Sequence, residues 1–236
     1  MEKKSTKKFK KLSIRLSHDA SEKIDKVSKN VNLSRAGVIL FGLYEQLKNP
    51  PSKEELLNMQ NRITLLEGYF STNIRPGLND ELNKLVEEYE MSRASLAGLL
   101  VSDYYERMSE NNELVQERDE ESTEDIHTHV YMNEQLKKKI VEYVDFYNIQ
   151  PSGIISISIL KAREHGRLDM PFYTDPGKEH KRISTRLPSY LRKWAREEAI
   201  KINLPYSFFM EVCLYHAFMN EEGIFYEKPL LEKTIR

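Results

Sequence analysis

Two short stretches of the chain set a cation, a hydroxyl and a cation at alternate positions. They are Lys11, Ser13 and Arg15 near one end, and Arg182, Ser184 and Arg186 near the other. A spacing of two puts all three side chains on one face of an extended strand. Lys and Arg are long donors that match guanine O6 and N7 as well as phosphate oxygens, and Ser bonds several bases. The residues between them are Leu12 and Ile14 in the first stretch, and Ile183 and Thr185 in the second, with Leu16 and Leu187 following. That alternation predicts half-buried strands with the polar triplets facing outward. The chemistry on offer is recognition of a polyanion.

Two further stretches alternate in the same way with less positive charge. Tyr69, Ser71 and Asn73 face outward if Phe70, Thr72 and Ile74 face inward; His127, His129 and Tyr131 do so if Thr128, Val130 and Met132 face inward. Asn73 has the amide that pairs with adenine, and the histidines bind DNA when protonated. These are weaker base-contacting candidates, along with Ser71 and Tyr131. Other constellations lead nowhere. His127 and His129 with Glu134 fall short of a metal set, because spacing supplies no third ligand. Cys213 and His216, one turn apart, sit in an apolar helix where a buried thiol is the usual outcome. The single cysteine excludes an internal disulfide, and the phosphate-binding Gly-rich loops are missing. The expectation is a protein that is not an enzyme and that needs no cofactor and no metal.

The elements that must hold these strands recur. Each alternating run is followed by an apolar stripe at helical spacing, a turn, and a second helix, with offsets of 58, 58 and 55 residues between copies. The stripes are Ala20, Ile24, Val27, Val31; Leu78, Leu82, Leu85, Tyr89; Leu136, Ile140, Tyr143, Tyr147; and Leu191, Ala195, Ile202, the last interrupted by Glu198. Ser17 is a plausible N-cap of the first helix. Asn32, Asn148 and Asn203 precede an apolar turn residue, with Glu90 in that place in the second copy; Asn adopts the left-handed backbone that ends helices. The second helix then begins at Ser34-Arg35, Ser92-Arg93, Ser152 or Ser207. Its N-terminal N–H groups attract phosphate, and the serines cap it. Ser34, Arg35, Ser92, Arg93, Ser152 and Ser207 are therefore phosphate-contacting candidates, joined by Lys7, Lys8 and Lys10 of a basic arm over residues 1–10.

The net charge of −1 conceals segregation. Residues 1–49 hold 12 Lys/Arg against 5 Asp/Glu, a net of +7, and residues 50–125 hold 7 against 18, a net of −11. Residues 178–236 return to +3, with 11 against 8. The copies fall at 11–49, 69–108, 126–165 and 179–220. Between them lie a linker over 50–68 with a possible helix, an acidic linker over 109–125 that reads as solvated and partly disordered, and a linker over 166–178. A tail over 221–236 offers Phe225, Tyr226 and Leu230 as a cap. No apolar run is long enough to span a membrane, and a cytoplasmic setting is expected.

A strand, a helix, a tight turn and a second helix in four degenerate tandem copies resembles the ribbon-helix-helix family of DNA-binding proteins. The resemblance covers roughly 160 of the 236 residues. The glycine that the family usually carries before its second helix is absent from all four turns. The resemblance implies a mainly α fold with short β ribbons. Units pair within the chain into two pseudo-dimers, each with a two-stranded ribbon in the major groove of double-stranded DNA. Pairing of neighbours and pairing of the two outer units both remain open. Family members are common in plasmids, phages and bacterial chromosomes, so the implied function is sequence-specific transcriptional regulation, as a repressor. An accessory role in plasmid partition or DNA transfer would use the same surfaces. A module of another class would keep the fold and lose DNA binding, engaging itself or a basic protein through the acidic segment 50–125.

Overall fold

The computed structural model describes residues 9–172 and 181–226. The chain is mainly helical, with two short antiparallel two-stranded sheets. It divides into two compact units. The first holds the described residues up to Glu117 together with Val144–Gln150, and the second holds Arg118–Tyr143 and the described residues from Pro151 onward.

In the first unit β1 (Lys10–Ile14) leads into α1 (His18–Asn30) and α2 (Arg35–Lys48). A short helix α3 (Lys53–Arg62) follows, then β2 (Phe70–Ile74), α4 (Pro76–Tyr89) and α5 (Arg93–Glu106). β1 pairs with β2, Lys11 opposite Asn73, Ser13 opposite Ser71 and Ile14 opposite Phe70. Leu12, Ile14, Thr72 and Ile74 are buried beneath the ribbon, as the alternation predicts. The second helix of each copy is the core of its half. Gly37 to Tyr44 of α2 and Leu96 to Asp103 of α5 are buried without a break, which a helix apolar all round requires. α5 packs against both α1 and α2.

The chain continues with a short helix α6 (Glu120–Thr123), then β3 (Asp125–Met132), α7 (Glu134–Tyr147, whose residues from Val144 onward fall in the first unit), α8 (Pro151–His165), β4 (Lys181–Pro188), α9 (Ser189–Lys201) and α10 (Tyr206–Met219). β3 pairs with β4 over eight positions, His127 opposite Arg186, His129 opposite Ser184 and Tyr131 opposite Arg182. Strands therefore pair between neighbouring copies, and the alternative of joining the two outer copies does not occur. A similar bond ties each ribbon to its core. The Ser17 N–H donates to Ser102 Oγ of α5 at 3.0 Å, and the Asn133 N–H donates to Glu211 Oε1 of α10 at 2.7 Å.

The turns explain how four copies do without the expected glycine. Asn32, Glu90, Asn148 and Asn203 all have left-handed backbone, with φ of 49°, 54°, 57° and 57°. The next residue donates back to the carbonyl five earlier: Leu33 to Ser28, Met91 to Val86 and Leu204 to Ala199. This is the Schellman ending, which satisfies carbonyls left over at a helix C-terminus. Asn bears this conformation at low cost; Glu does so against the clash of its Cβ.

Three expectations need correction. The fourth stripe does not end on Ile202, which is 52% exposed; it continues through the buried Ala199, four residues beyond Ala195, because Ile202 already lies past the helix. The acidic segment is solvated only in part. Leu114 and Val115 are buried, and the Asn30 side chain donates to the carbonyls of Leu114 and Gln116, so two apolar residues anchor the stretch on α1. The basic arm ends earlier than expected, since Lys10 is already the first residue of β1. In the tail, Phe225 is buried against Tyr143 and Phe218. Lys7, Lys8 and Leu230 lie outside the described residues.

Candidate nucleic-acid interface

Each ribbon has one face on the helices and one face outward, and the outward residues are those that alternation assigns. On the first ribbon Lys11, Ser71, Asn73 and Tyr69 are exposed, and Ser13 and Arg15 are half-buried. On the second, Arg182, Ser184, Arg186, His127, His129 and Tyr131 are all exposed. The pairing gives every ribbon one strand with a cation, serine and cation and one strand with little fixed charge. In both ribbons the central serine meets a polar partner across the strands. Ser13 Oγ lies 3.3 Å from Ser71 Oγ, and Ser184 Oγ lies 3.1 Å from His129 Nδ1.

The Arg15 side chain is held, not loose. Its Nε donates to the Leu66 carbonyl at 2.9 Å, and its guanidinium lies 5.4 Å from the centre of the Tyr69 ring. Leu66 is itself tied down by its N–H to the Leu16 carbonyl. The segment between α3 and β2 thus orients Arg15 with its terminal nitrogens still available, which lowers the entropy lost when they bond a ligand. Beside the second ribbon, burial lifts the Asp125 carboxyl above the usual carboxylate range, against the pull of Arg186.

At the second-helix N-termini the capping expectation holds in part. Ser34 and Ser92 are N-caps, accepting from the N–H groups of Gly37 and Ser95. Arg35, however, is paired with Asp25, donates to Ser21 Oγ at 2.6 Å and lies over Phe70, so its charge is already engaged inside the protein. Ser152 and Ser207 are not caps. Each is the second residue of its helix, displaced by the prolines Pro151 and Pro205, and α10 has no side-chain cap. Arg93 does have uncommitted donors: its Nε and Nη2 are buried without a partner at the start of α5.

Sequence reasoning missed the cations of the fourth copy. Arg192 and Arg196 stand on α9 one turn apart, and Arg196 lies 5.4 Å from the ring of Tyr206, the first residue of α10. Burial raises the Tyr206 phenol, and Arg192 and Arg196 pull it back. Shifted by the repeat, these positions are Ser21, Asp25 and Arg35 of the first copy. The cation sits on the second helix in one copy and on the first helix in the other. That exchange at aligned positions was the available signal.

Elsewhere the chemistry is quiet. Cys213 is buried, and burial pushes its thiol far above the ordinary range. Among the described residues no group of three or more His, Cys, Asp or Glu is placed to hold a metal ion, and no helix is long and apolar enough to cross a membrane. The chain matches no protein-family model, no curated protein and no solved structure.

Proposed function

We propose that this chain binds double-stranded DNA in a sequence-specific manner and acts as a transcriptional repressor of the ribbon-helix-helix kind. Each unit is then a covalently joined pseudo-dimer that lays its ribbon in a major groove. The observation that carries the reading is the make-up of the two outward ribbon faces. Lys11, Ser13 and Arg15 recur as Arg182, Ser184 and Arg186 at the same places on two separate ribbons, each beside a polar neighbour strand. A two-stranded ribbon fits the major groove, where base edges carry a donor and acceptor code that these side chains match. Phosphate contact rests on Arg93 at α5 and on Arg192 and Arg196 beside α10, with the capping serines Ser34 and Ser92 adding hydroxyls.

Fluorescence anisotropy with a random duplex at about 50 mM salt tests the class, because the non-specific electrostatic term is strong there. Binding that weakens steeply with added salt supports the reading; no binding at all overturns it. A selected operator then tests the ribbons. Arg15→Ala and Arg186→Ala should each cost about 1–3 kcal/mol and relax preference at particular base pairs. Variants that both bind like wild type would remove the ribbons from the interface.

A further inference from the structure

One chemical difference between the two ribbons is that the second carries imidazoles. His127 and His129 stand side by side on the exposed face of β3, ring centres 4.8 Å apart and nearly perpendicular. His127 is opposite Arg186, and His129 is opposite Ser184, with its Nδ1 on the serine oxygen. Nε2 of His129 is the nitrogen left for a ligand. The same places on the first ribbon are held by Tyr69 and Ser71, a phenol and a hydroxyl in place of the two imidazoles.

We infer that the second ribbon is a proton-conditional reader, engaging DNA more tightly as His127 and His129 take up protons. This rests on the DNA-binding reading and adds its regulation. The charged groups beside the imidazoles belong to the ribbon: Arg186 and Arg182 across the strands, Lys181 at the far end, and Asp125 two residues from His127. Helices α8, α9 and α10 pack against these strands, whose opposite face carries the buried Thr128, Val130, Met132, Thr185 and Leu187. The outward face carries Arg182 and Arg186, with the Asp125 carboxyl at its end, and two charged rings would double its cations. A protonated imidazole donates from both nitrogens, which suits a surface of phosphate oxygens and guanine acceptors. A polyanion drawn against the rings favours their charged form, so binding takes up protons. By linkage, affinity rises as pH falls through the range in which histidine titrates, and it is lost again as pH rises. The first ribbon does not follow, so pH decides whether one ribbon or both hold the duplex.

The test is anisotropy of the full chain on one labelled duplex between pH 7.5 and 5.5 at constant ionic strength. It is run on wild type, on H127Q with H129Q, and on H127K with H129K, with circular dichroism to check the fold of each. Wild type should tighten at least tenfold at the lower pH. Its salt slope should steepen by up to about 1.8, roughly 0.9 for each added phosphate contact. The Gln pair should bind with a flat profile, and the Lys pair should bind at pH 7.5 as wild type does at 5.5. A flat wild-type profile, or a Gln pair that keeps the pH dependence, overturns the switch and leaves DNA binding standing. Absence of binding at every pH overturns both.

Discussion

Glu90 occupies a backbone conformation that the other three turns give to asparagine, and relieving it should stabilise the first unit. Its φ and ψ are 54° and 38°, in the left-handed region, at the C-cap of α4. For an L-residue with a full side chain this costs roughly 1–2 kcal/mol. The carboxylate also faces the negative end of the helix dipole, where an anion costs about 0.3–1 kcal/mol; no basic residue in the last turn offsets it. Three variants separate the two effects. Glu90→Gln removes only the charge and should gain a few tenths of a kcal/mol, within the dipole cost. Glu90→Gly removes charge and Cβ together, less about 0.4–1 kcal/mol for the freer unfolded chain, leaving a net gain of about 1 kcal/mol. Glu90→Asn should fall between them. Urea unfolding followed by far-UV circular dichroism reads the change as a higher midpoint at constant slope, and a gain of that size moves Tm by about 2–4 °C. Glu90→Ala keeps the Cβ and loses the charge, so it should match the Gln variant. If Gly is no more stable than Gln, or Ala equals Gly, backbone strain is not what Glu90 contributes.

A Cβ built on Gly98 meets the Arg15 carbonyl oxygen at 2.0 Å, so Gly98→Ala must push α5 from the backbone that follows β1; a loss of about 3 kcal/mol in urea unfolding is expected, and a loss under about 1 kcal/mol would show that the two part cheaply. Arg192→Ala with Arg196→Ala should weaken binding equally for all DNA sequences and lower the salt slope by about 0.9 for each phosphate no longer neutralised, whereas Ser207→Ala should change neither. Burial, and then the nearby His165, hold His216 below its ordinary value, so the folded state resists a proton that the unfolded chain accepts near pH 6.5. Stability of the second unit should therefore be full above about pH 7.5 and fall as pH drops through about 6.5. Replacing His216 with Gln should flatten that profile in fluorescence-detected unfolding, for which Trp194 is the chain's single tryptophan.

The features legible in the sequence are those set by local physics. Period-two alternation placed Leu12, Ile14, Thr72 and Ile74 under the first ribbon, because a strand offers only two faces. Ser17, Ser34 and Ser92 were readable as caps because a hydroxyl before a helix satisfies a nearby backbone N–H. The asparagine turns were readable because few residues accept positive φ. What was hidden depends on partners distant in sequence. Arg35 offers a cation to any ligand until Asp25 and Ser21, a helix away, take it. Leu114 and Val115 look like strays in an acidic stretch until Asn30 holds the carbonyls around them. Ser207 lost the cap position to Pro205, and Ser152 falls inside α8 behind Pro151, a placement that spacing alone does not reveal.

Electrostatics gives a reason why neighbours pair. Joining the outer strands, Ser13 opposite Ser184, would set Lys11 against Arg186 and Arg15 against Arg182. Directly opposed residues stand about 4.5–5.5 Å apart, where like charges destabilise a sheet. In the observed ribbons each cationic strand meets a strand without fixed positive charge instead. Arg15 lies against the Tyr69 ring, and Arg186 and Arg182 face His127 and Tyr131. Aromatic rings accept a guanidinium on their faces, so on the first ribbon the neighbour that avoids repulsion also orients Arg15. The consequence for the proposed function is directional. Every ribbon has a cationic edge and one without fixed positive charge, so neither can read a two-fold symmetric half-site evenly. The preferred subsites should be asymmetric, with the guanine contacts gathered on the side of β1 and β4.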